Sequence, residues 1–415
     1  MTSAALFVLG ALAAAPAPPA GARRIVVDPV GTIPTLTAAL AVARRGDTIV
    51  VRAGVFAEPR IIVAVPVTII GDPGAIFDGG GSHEVITVRA NGVTILGLTI
   101  RNGGHSYTED RAAIRLDGVR DCRIAGNRLL DTFFGVYAAR SSNCTISGNR
   151  FEGNARSQAS SGNAIHLFYS DGFTVEGNTI SGHRDGIYLE FSTRARIVDN
   201  ESRENLRYGL HFMYSDSCEY RQNTFARNAS GVAVMYSRAV TVVGNRFEDN
   251  RGTAAYGLLL KEIKDGRITD NVIAGNTVGL YAEGVDRMVV EHNQFLGNGW
   301  AVRLMADATG NIFRRNRFEG NTFDVTTNSR VSSPSTFVEN YWDGYRGYDL
   351  DRDGHGDVPF RPVRLFSALI EQSEPALILL HSFFIDLLEV AERVAPVLTP
   401  ESLVDSRPLM RWAGT

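Results

Sequence analysis

Six methionines occur in the 415-residue chain, and three of them, Met213, Met235 and Met305, fall at one repeated position. Successive copies of that position read Phe168, Glu190, Met213, Met235, Lys261, Glu283 and Met305. Two residues earlier the copies read His166, Tyr188, His211, Ala233, Leu259, Tyr281 and Arg303. Strand alternation sends Ile187, Leu210 and Val232, and then Leu189, Phe212 and Val234, to the opposite face, so both files are expected to point outward. Exposed thioethers have no solubility rationale. Beside an imidazole they form a soft donor set suited above all to Cu(I), bound transiently. The candidate face consists of His211, Met213 and Met235, with Met305, His166 and Glu190 further along. No cysteine lies beside it, which suits an oxidising compartment. The competing reading is an adaptable apolar patch for a protein partner.

A second constellation is Asp349-Leu350-Asp351-Arg352-Asp353-Gly354-His355-Gly356-Asp357. Carboxylates at alternate positions around a glycine resemble a Ca²⁺ loop, with Asp349, Asp351, Asp353 and Asp357 as ligands. Phe360 stands where such a loop would carry its bidentate Glu, and a solvated acidic turn is the competing reading. A third group, His183-Arg184-Asp185, could serve a lyase or epimerase, but Asp185 precedes a glycine where turn chemistry alone favours Asp.

These side chains need a scaffold that lines up equivalent positions. A motif of the form apolar-x-Gly-Asn-x-apolar-x-x-Asn recurs, most clearly at Ile146–Asn154 and Val242–Asn250. Its first Asn falls at 127, 149, 178, 200, 223, 245, 271, 293, 316 and 340, in steps of 22 to 29 residues. Each unit holds two or three short strands between Gly/Asn turns, with no helix between them. Parallel strands joined without crossover helices coil and stack on themselves, so the predicted fold is all-β, a right-handed parallel β-helix. Longer steps, such as 149 to 178, mark loops that bulge from the stack. Cys122, Cys144 and Cys218 each lie five residues before an aligned Asn, where other copies carry Phe173, Ala195, Val240 and Met288. They read as buried small hydrophobes, with Cys122 and Cys144 stacked closely enough for an accidental bridge.

Both ends of such a stack need covering. Thr35–Arg44 is expected to form an amphipathic N-terminal capping helix. Residues 1–22 read as an export signal, an apolar run followed by small residues, although Met1-Thr2-Ser3 lacks the usual positive charge. The predicted organisation is then 23–345 β-helix, 346–362 acidic turn segment and 363–415 apolar helical tail. Pro375 marks a first helical turn in that tail, and Asp386 and Glu389 make it a poor membrane span. Leu379, Phe383, Phe384, Leu387 and Leu388 either fold over the last coil or dock on a membrane protein or second copy. With 42 basic and 45 acidic residues, a formal charge of −3 and no basic stripe, nucleic acid is excluded as a partner.

The C-terminal run Asn340-Tyr341-Trp342-Asp343-Gly344-Tyr345-Arg346-Gly347-Tyr348-Asp349, then Asp357-Val358-Pro359 and Arg361-Pro362, continues through Leu365-Phe366-Ser367 and Pro375-Ala376-Leu377. It ends in Val397-Leu398-Thr399-Pro400-Glu401 and Arg407-Pro408-Leu409-Met410. Over essentially the whole mature chain this resembles the NosD family, periplasmic β-helix proteins of nitrous oxide reductase maturation. Residues Ile49–Glu58 and the Gly-Asn repeats are shared more widely, with carbohydrate-associated β-helix proteins. The resemblance implies a non-enzymatic periplasmic protein, peripherally associated with the inner membrane. It implies as partners an ABC transporter ATPase and permease, a copper-donor lipoprotein and nitrous oxide reductase, with a homodimer inside the transporter complex as a further expectation. The alternative from another class is a polysaccharide lyase, hydrolase or epimerase, which would need carboxylates paired on one face.

Overall fold

A computed structural model describes residues 21–106, 109–328, 335–372, 374–380, 382–394 and 403–412. Most of the expected export signal therefore lies outside the described residues. The chain winds into a parallel β-helix with three sheets of 14, 12 and 13 strands. Every strand pairs in parallel with the equivalent strand of the next coil. The twelve-stranded sheet carries the longest strands, such as Asp185–Glu190, Tyr208–Met213, Ser230–Met235 and Tyr256–Lys261.

Turn chemistry explains why the coils stay in register. Asn223 donates from its backbone N and from Nδ2 to Oδ1 of Asn245, 2.9 Å each, and Nδ2 also reaches the Ile197 carbonyl at 2.8 Å. The same pattern runs from Asn127 to Asn340. A second ladder joins Asn205, Asn228, Asn250, Asn276, Asn298 and Asn321. A third runs through Ser141, Ser170, Ser192, Ser215 and Ser237, each hydroxyl accepting from the preceding rung's amide. Every rung satisfies buried backbone donors that a turn inside a solenoid would otherwise leave unpaired. The core between the sheets is continuous and apolar, and includes Ile187, Leu210, Val232, Leu189, Phe212 and Val234. Cys122, Cys144 and Cys218 are buried and free, in the column that also buries Phe173, Ala195, Val240 and Met288.

Helix α1 (Leu36–Val42) caps the first coil. Thr35 Oγ1 accepts from Ala38 N at 3.1 Å, and Glu58 accepts from the amides of Leu36 and Thr37 at 2.7 and 3.0 Å. The buried Leu36 and Ala39 join the core, so the helix shields the open end of the stack.

The other end departs from the expected helical tail at 363–415. Helix α2 (Leu365–Gln372), a short 3₁₀ turn and helix α3 (Phe383–Val394) fold beside the last coils, where Phe366, Ile370 and Ile385 pack on Phe323 and Trp300. The chain then returns. Asp405 pairs with Phe337 and Leu409 with Tyr341, and Asp405 Oδ2 accepts from Asn340 N, Asn340 Nδ2 and Trp342 Nε1 at 3.0 Å each. Asp405 thus occupies the next rung of the Asn ladder. The helices are an insertion within the final coil, and residues 403–412 belong to the solenoid.

Candidate metal-binding face

Strand register places Phe168, Glu190, Met213, Met235, Lys261 and Glu283 in one file. Met213 and Met235 are direct partners on neighbouring strands, about 4.8 Å apart at the backbone, and both side chains are half-buried. The soft surface ends at the next coil, where Lys261 and Glu283 form an ion pair at 3.0 Å. Met305 lies beyond that pair, three coils from Met235, or roughly 14 Å along the stack. It cannot share an ion with Met213 or Met235, so the expected face is shorter than the file.

The neighbouring file aligns His166, Tyr188, His211 and Ala233. These side chains leave the sheet on its outer side as expected, yet they are not open to solvent: His166 is 8% and His211 5% exposed. The Tyr188 ring sits between them, 4.7 Å from His166 and 4.6 Å from His211, the latter nearly parallel at 15°. His166 and His211 therefore do not converge, because a tyrosine fills the coil between them. Phe134, Tyr137 and Phe168 complete an aromatic box around His166, and Glu190 Oε2 stands 4.0 Å from its Nε2. Neither nitrogen of His166, nor Nε2 of His211, has a hydrogen-bond partner although all three are buried. Buried imidazole nitrogens without partners are uncommon and fit a site that awaits a ligand.

Beneath His211 lies a charged cluster that the repeat alignment alone did not assign. Asp185 opens its strand fully buried and accepts from Arg207, at 2.8 Å to Nε and closely to Nη2. Arg207 Nη2 also stands 3.3 Å from His211 Nδ1, with Asp185 Oδ2 at 3.8 Å. A guanidinium only donates, so this contact puts a lone pair on Nδ1 and the ring proton on Nε2. Asp185 is placed to take an Nδ1–H in the other tautomer, which frees Nε2 for a metal. Burial pushes the Asp185 carboxyl up, but the hydrogen bonds and charge of Arg207 outweigh it and hold it at about 2. The Asp185 side chain is fully buried against Arg207 and His211. Charge complementarity between the aligned triplets Arg184-Asp185-Gly186 and Arg207-Tyr208-Gly209 was the available signal.

Directly after the methionine file, Tyr169, Phe191, Tyr214 and Tyr236 stack on successive coils, with centroids 4.7, 5.1 and 5.0 Å apart. Each adopts a left-handed backbone, φ 46° to 53°, and each is 37–55% exposed. Bulky residues in that conformation are uncommon. The rings use their faces on one another.

Of the acidic turn, Asp349, Asp351 and Asp353 bring carboxylate oxygens within 4.8 Å of one another, whereas Asp357 turns away to accept from Leu350 N at 2.7 Å. Asp349 accepts from the amides of Asp353 and Gly354, and Asp353 from Arg407 at 2.8 Å. Amides of the turn and the Arg407 guanidinium thus share these oxygens, and the three aspartates converge while Asp357 does not join them. In the tail, Leu379, Phe383, Phe384 and Leu387 are exposed, but Leu388 packs against the Phe323–Ile370 cluster.

Burial makes this region acid-sensitive. It lowers His166 to about 3 and His183 to about 4, from an ordinary value of 6.5. The unfolded chain takes up these protons near pH 6.5 and the folded chain does so only near pH 3–4, so stability falls as pH drops through that window. For His183 alone the loss by pH 4.5 is about 2–3 kcal/mol. Urea unfolding at pH 7.0 and 4.5 measures it, and His183→Asn should flatten the dependence; equal midpoints at both pH values would count against the buried neutral imidazoles.

The model of the family described as "Periplasmic copper-binding protein (NosD)" matches residues 155–347, the stretch that holds every histidine and methionine of the candidate face. A protein of Pseudomonas aeruginosa named "Probable ABC transporter binding protein NosD" is 33% identical over 371 residues, covering 85% of this chain and 86% of that protein. The chain belongs to the NosD family. A second NosD, from Stutzerimonas stutzeri and named in the same words, is 30% identical over 374 residues, covering 85% of each chain. Among solved structures, the A-module of the mannuronan C-5 epimerase AlgE6 of Azotobacter vinelandii superposes with a TM-score of 0.61 at 14% identity, covering 73% of this chain and 92% of that module. The Streptococcus pneumoniae adhesin PfbA gives 0.54 at 11%, covering 68% and 85%. An enzyme and an adhesin share this fold with a NosD chain, so the solenoid by itself does not decide the activity. Among the described residues no helix is long and apolar enough to cross a membrane.

Proposed function

We propose that this chain is a periplasmic carrier that accepts or relays Cu(I) during maturation of the copper centres of nitrous oxide reductase, docked on an ABC transporter. One observation carries the reading: Met213 and Met235 stand side by side on adjacent strands, beside a buried His211 whose Nε2 has no partner. Thioether sulfur and imidazole nitrogen are soft and borderline donors, and Cu(I) is the biological cation they suit best. Copper is cargo here: a half-buried two-sulfur site can be loaded and emptied. The names of the two relatives support an ABC transporter as partner, and the resemblance adds a copper-donor lipoprotein. Titration of the purified mature protein with Cu(I) under anaerobic conditions tests the reading directly. One tightly bound equivalent is expected, and no binding above that of a buffer control rejects it.

The exposed edge of the inserted helices supports the docking role. Ile378, Phe383, Phe384, Leu387 and Val390 stay open to solvent on an element anchored to the solenoid at both ends. Removing residues 365 to 415 would also remove the Asp405 rung, so point substitution is the cleaner test. Phe383→Ser with Leu387→Ser should abolish co-purification with the transporter while Cu(I) binding persists; retention of the complex would reject these helices as the docking element.

A further inference from the structure

Among the described residues, Tyr188 touches both imidazoles and one thioether of the candidate face. Its hydroxyl donates to Met213 Sδ at 3.5 Å, and its ring fills the space between His166 and His211. We propose that Tyr188 is a latch on the copper site: its phenol hydroxyl occupies the Met213 sulfur in the metal-free protein and must release it before Cu(I) binds. This deepens the copper reading and rests on it.

The geometry gives two reasons. A thioether is a weak acceptor with few lone pairs to share, so a hydrogen bond from a phenol competes with coordination at the same atom. Tyr188 is 8% exposed, stacked on His211 and tilted by 43° against His166, so the ring holds its oxygen beside Met213 and the latch opens by turning the O–H bond away from the sulfur. The register explains why Met213 alone is latched. Tyr188 shares its strand with Glu190 and pairs with His211, one residue pair away from Met213, whereas Met235 lies a coil further on beside Ala233. Met235 is thus the free sulfur that an arriving ion meets first, and Met213 is the one that must be unlatched. Such an order suits a carrier: the latch closes behind departing copper and helps expel it.

Tyr188→Phe removes the donor and keeps the ring stack. Cu(I) affinity, measured by competition with bathocuproine disulfonate, should rise about fivefold, the worth of one ordinary hydrogen bond. In a Met213→Leu background the same substitution should change nothing, because the latched sulfur is gone. With ¹³C-methyl methionine, the Met213 resonance of the metal-free protein should move in Tyr188→Phe while that of Met235 stays. An affinity within twofold of the parent, with Met213→Leu and Met235→Leu still lost to binding, overturns the latch and leaves the copper site standing. If the parent and the double methionine variant bind Cu(I) equally, the copper reading falls and the latch with it. Should Tyr188→Phe lose the fold, Tyr188→Leu removes the phenol without adding a metal ligand for the same comparison.

Discussion

Converting both Met213 and Met235 to Leu weakens Cu(I) binding by about 100-fold or more, close to 3 kcal/mol, and leaves the solenoid intact. The size follows from the donor set. The face offers Cu(I) two sulfurs and one imidazole nitrogen, so removing both sulfurs leaves a lone histidine, which holds a cuprous ion no better than competing buffer ligands do. The fold survives because Leu and Met are similar in volume and such exchanges usually cost less than about 1.5 kcal/mol. Both positions are half-buried on the outer side of the sheet, where core packing is not at stake. Met305→Leu is the internal control. It sits beyond the Lys261–Glu283 pair, so its affinity should match the parent. Competition with bathocuproine disulfonate reads all three proteins, and circular dichroism checks the fold. Undiminished affinity in the double variant would end the claim that this patch holds copper, and a loss in Met305→Leu would mean that the ion sits elsewhere along the file.

The scaffold was legible because its rules are local and repeated. An Asn every 22 to 29 residues is enough to align the copies, and strand alternation then sorts inward from outward residues without further information. The methionine pair was legible for the same reason, since register in a solenoid is sequence alignment. Burial on the outer face was not. Alternation says that His166 and His211 leave the sheet on its outer side, but it does not say that Tyr137, Tyr188 and Tyr208 will fold over them. Nor does it count coils, which is how Met305 entered a face it cannot reach. The C-terminal end failed for a different reason. Asp405 replaces an Asn 65 residues after Asn340, well beyond the repeat step, so no periodic search finds it. The apolar helices between them look like a tail only while that returning rung is unseen.

The returning rung sets up the second large effect: Asp405→Ala destabilises the protein by about 3–5 kcal/mol, while Asp405→Asn retains most of the stability. Asp405 is fully buried and accepts four hydrogen bonds, from Asn340 N, Asn340 Nδ2 and Trp342 Nε1 on Oδ2 and from Arg407 N on Oδ1. Alanine would leave Asn340 N and Trp342 Nε1 inside the protein without partners, at about 1–3 kcal/mol for each buried group, while Asn340 Nδ2 keeps the Phe313 and Val338 carbonyls. Trp342 is among the largest fully buried side chains, so relaxation toward solvent would cost core packing as well. Asparagine keeps the accepting oxygen and restores the residue that fills every other rung. Burial raises the Asp405 carboxyl, so the folded protein binds this proton at higher pH than the unfolded chain does. Its contribution is therefore greatest at low pH and declines as pH rises through the folded value, a dependence that Asp405→Asn should remove. Because a solenoid frays from its ends, the loss should appear first as faster amide exchange in strands Thr336–Val338 and Arg317–Glu319, before the unfolding midpoint in urea moves. Helices α2 and α3 are held between the last coil and this rung, so the same substitution should loosen them and weaken transporter association without touching Met213 or Met235. If Asp405→Ala exchanges like the parent at Thr336–Val338, the rung is not what closes the stack, and the exposed helices lose their second anchor.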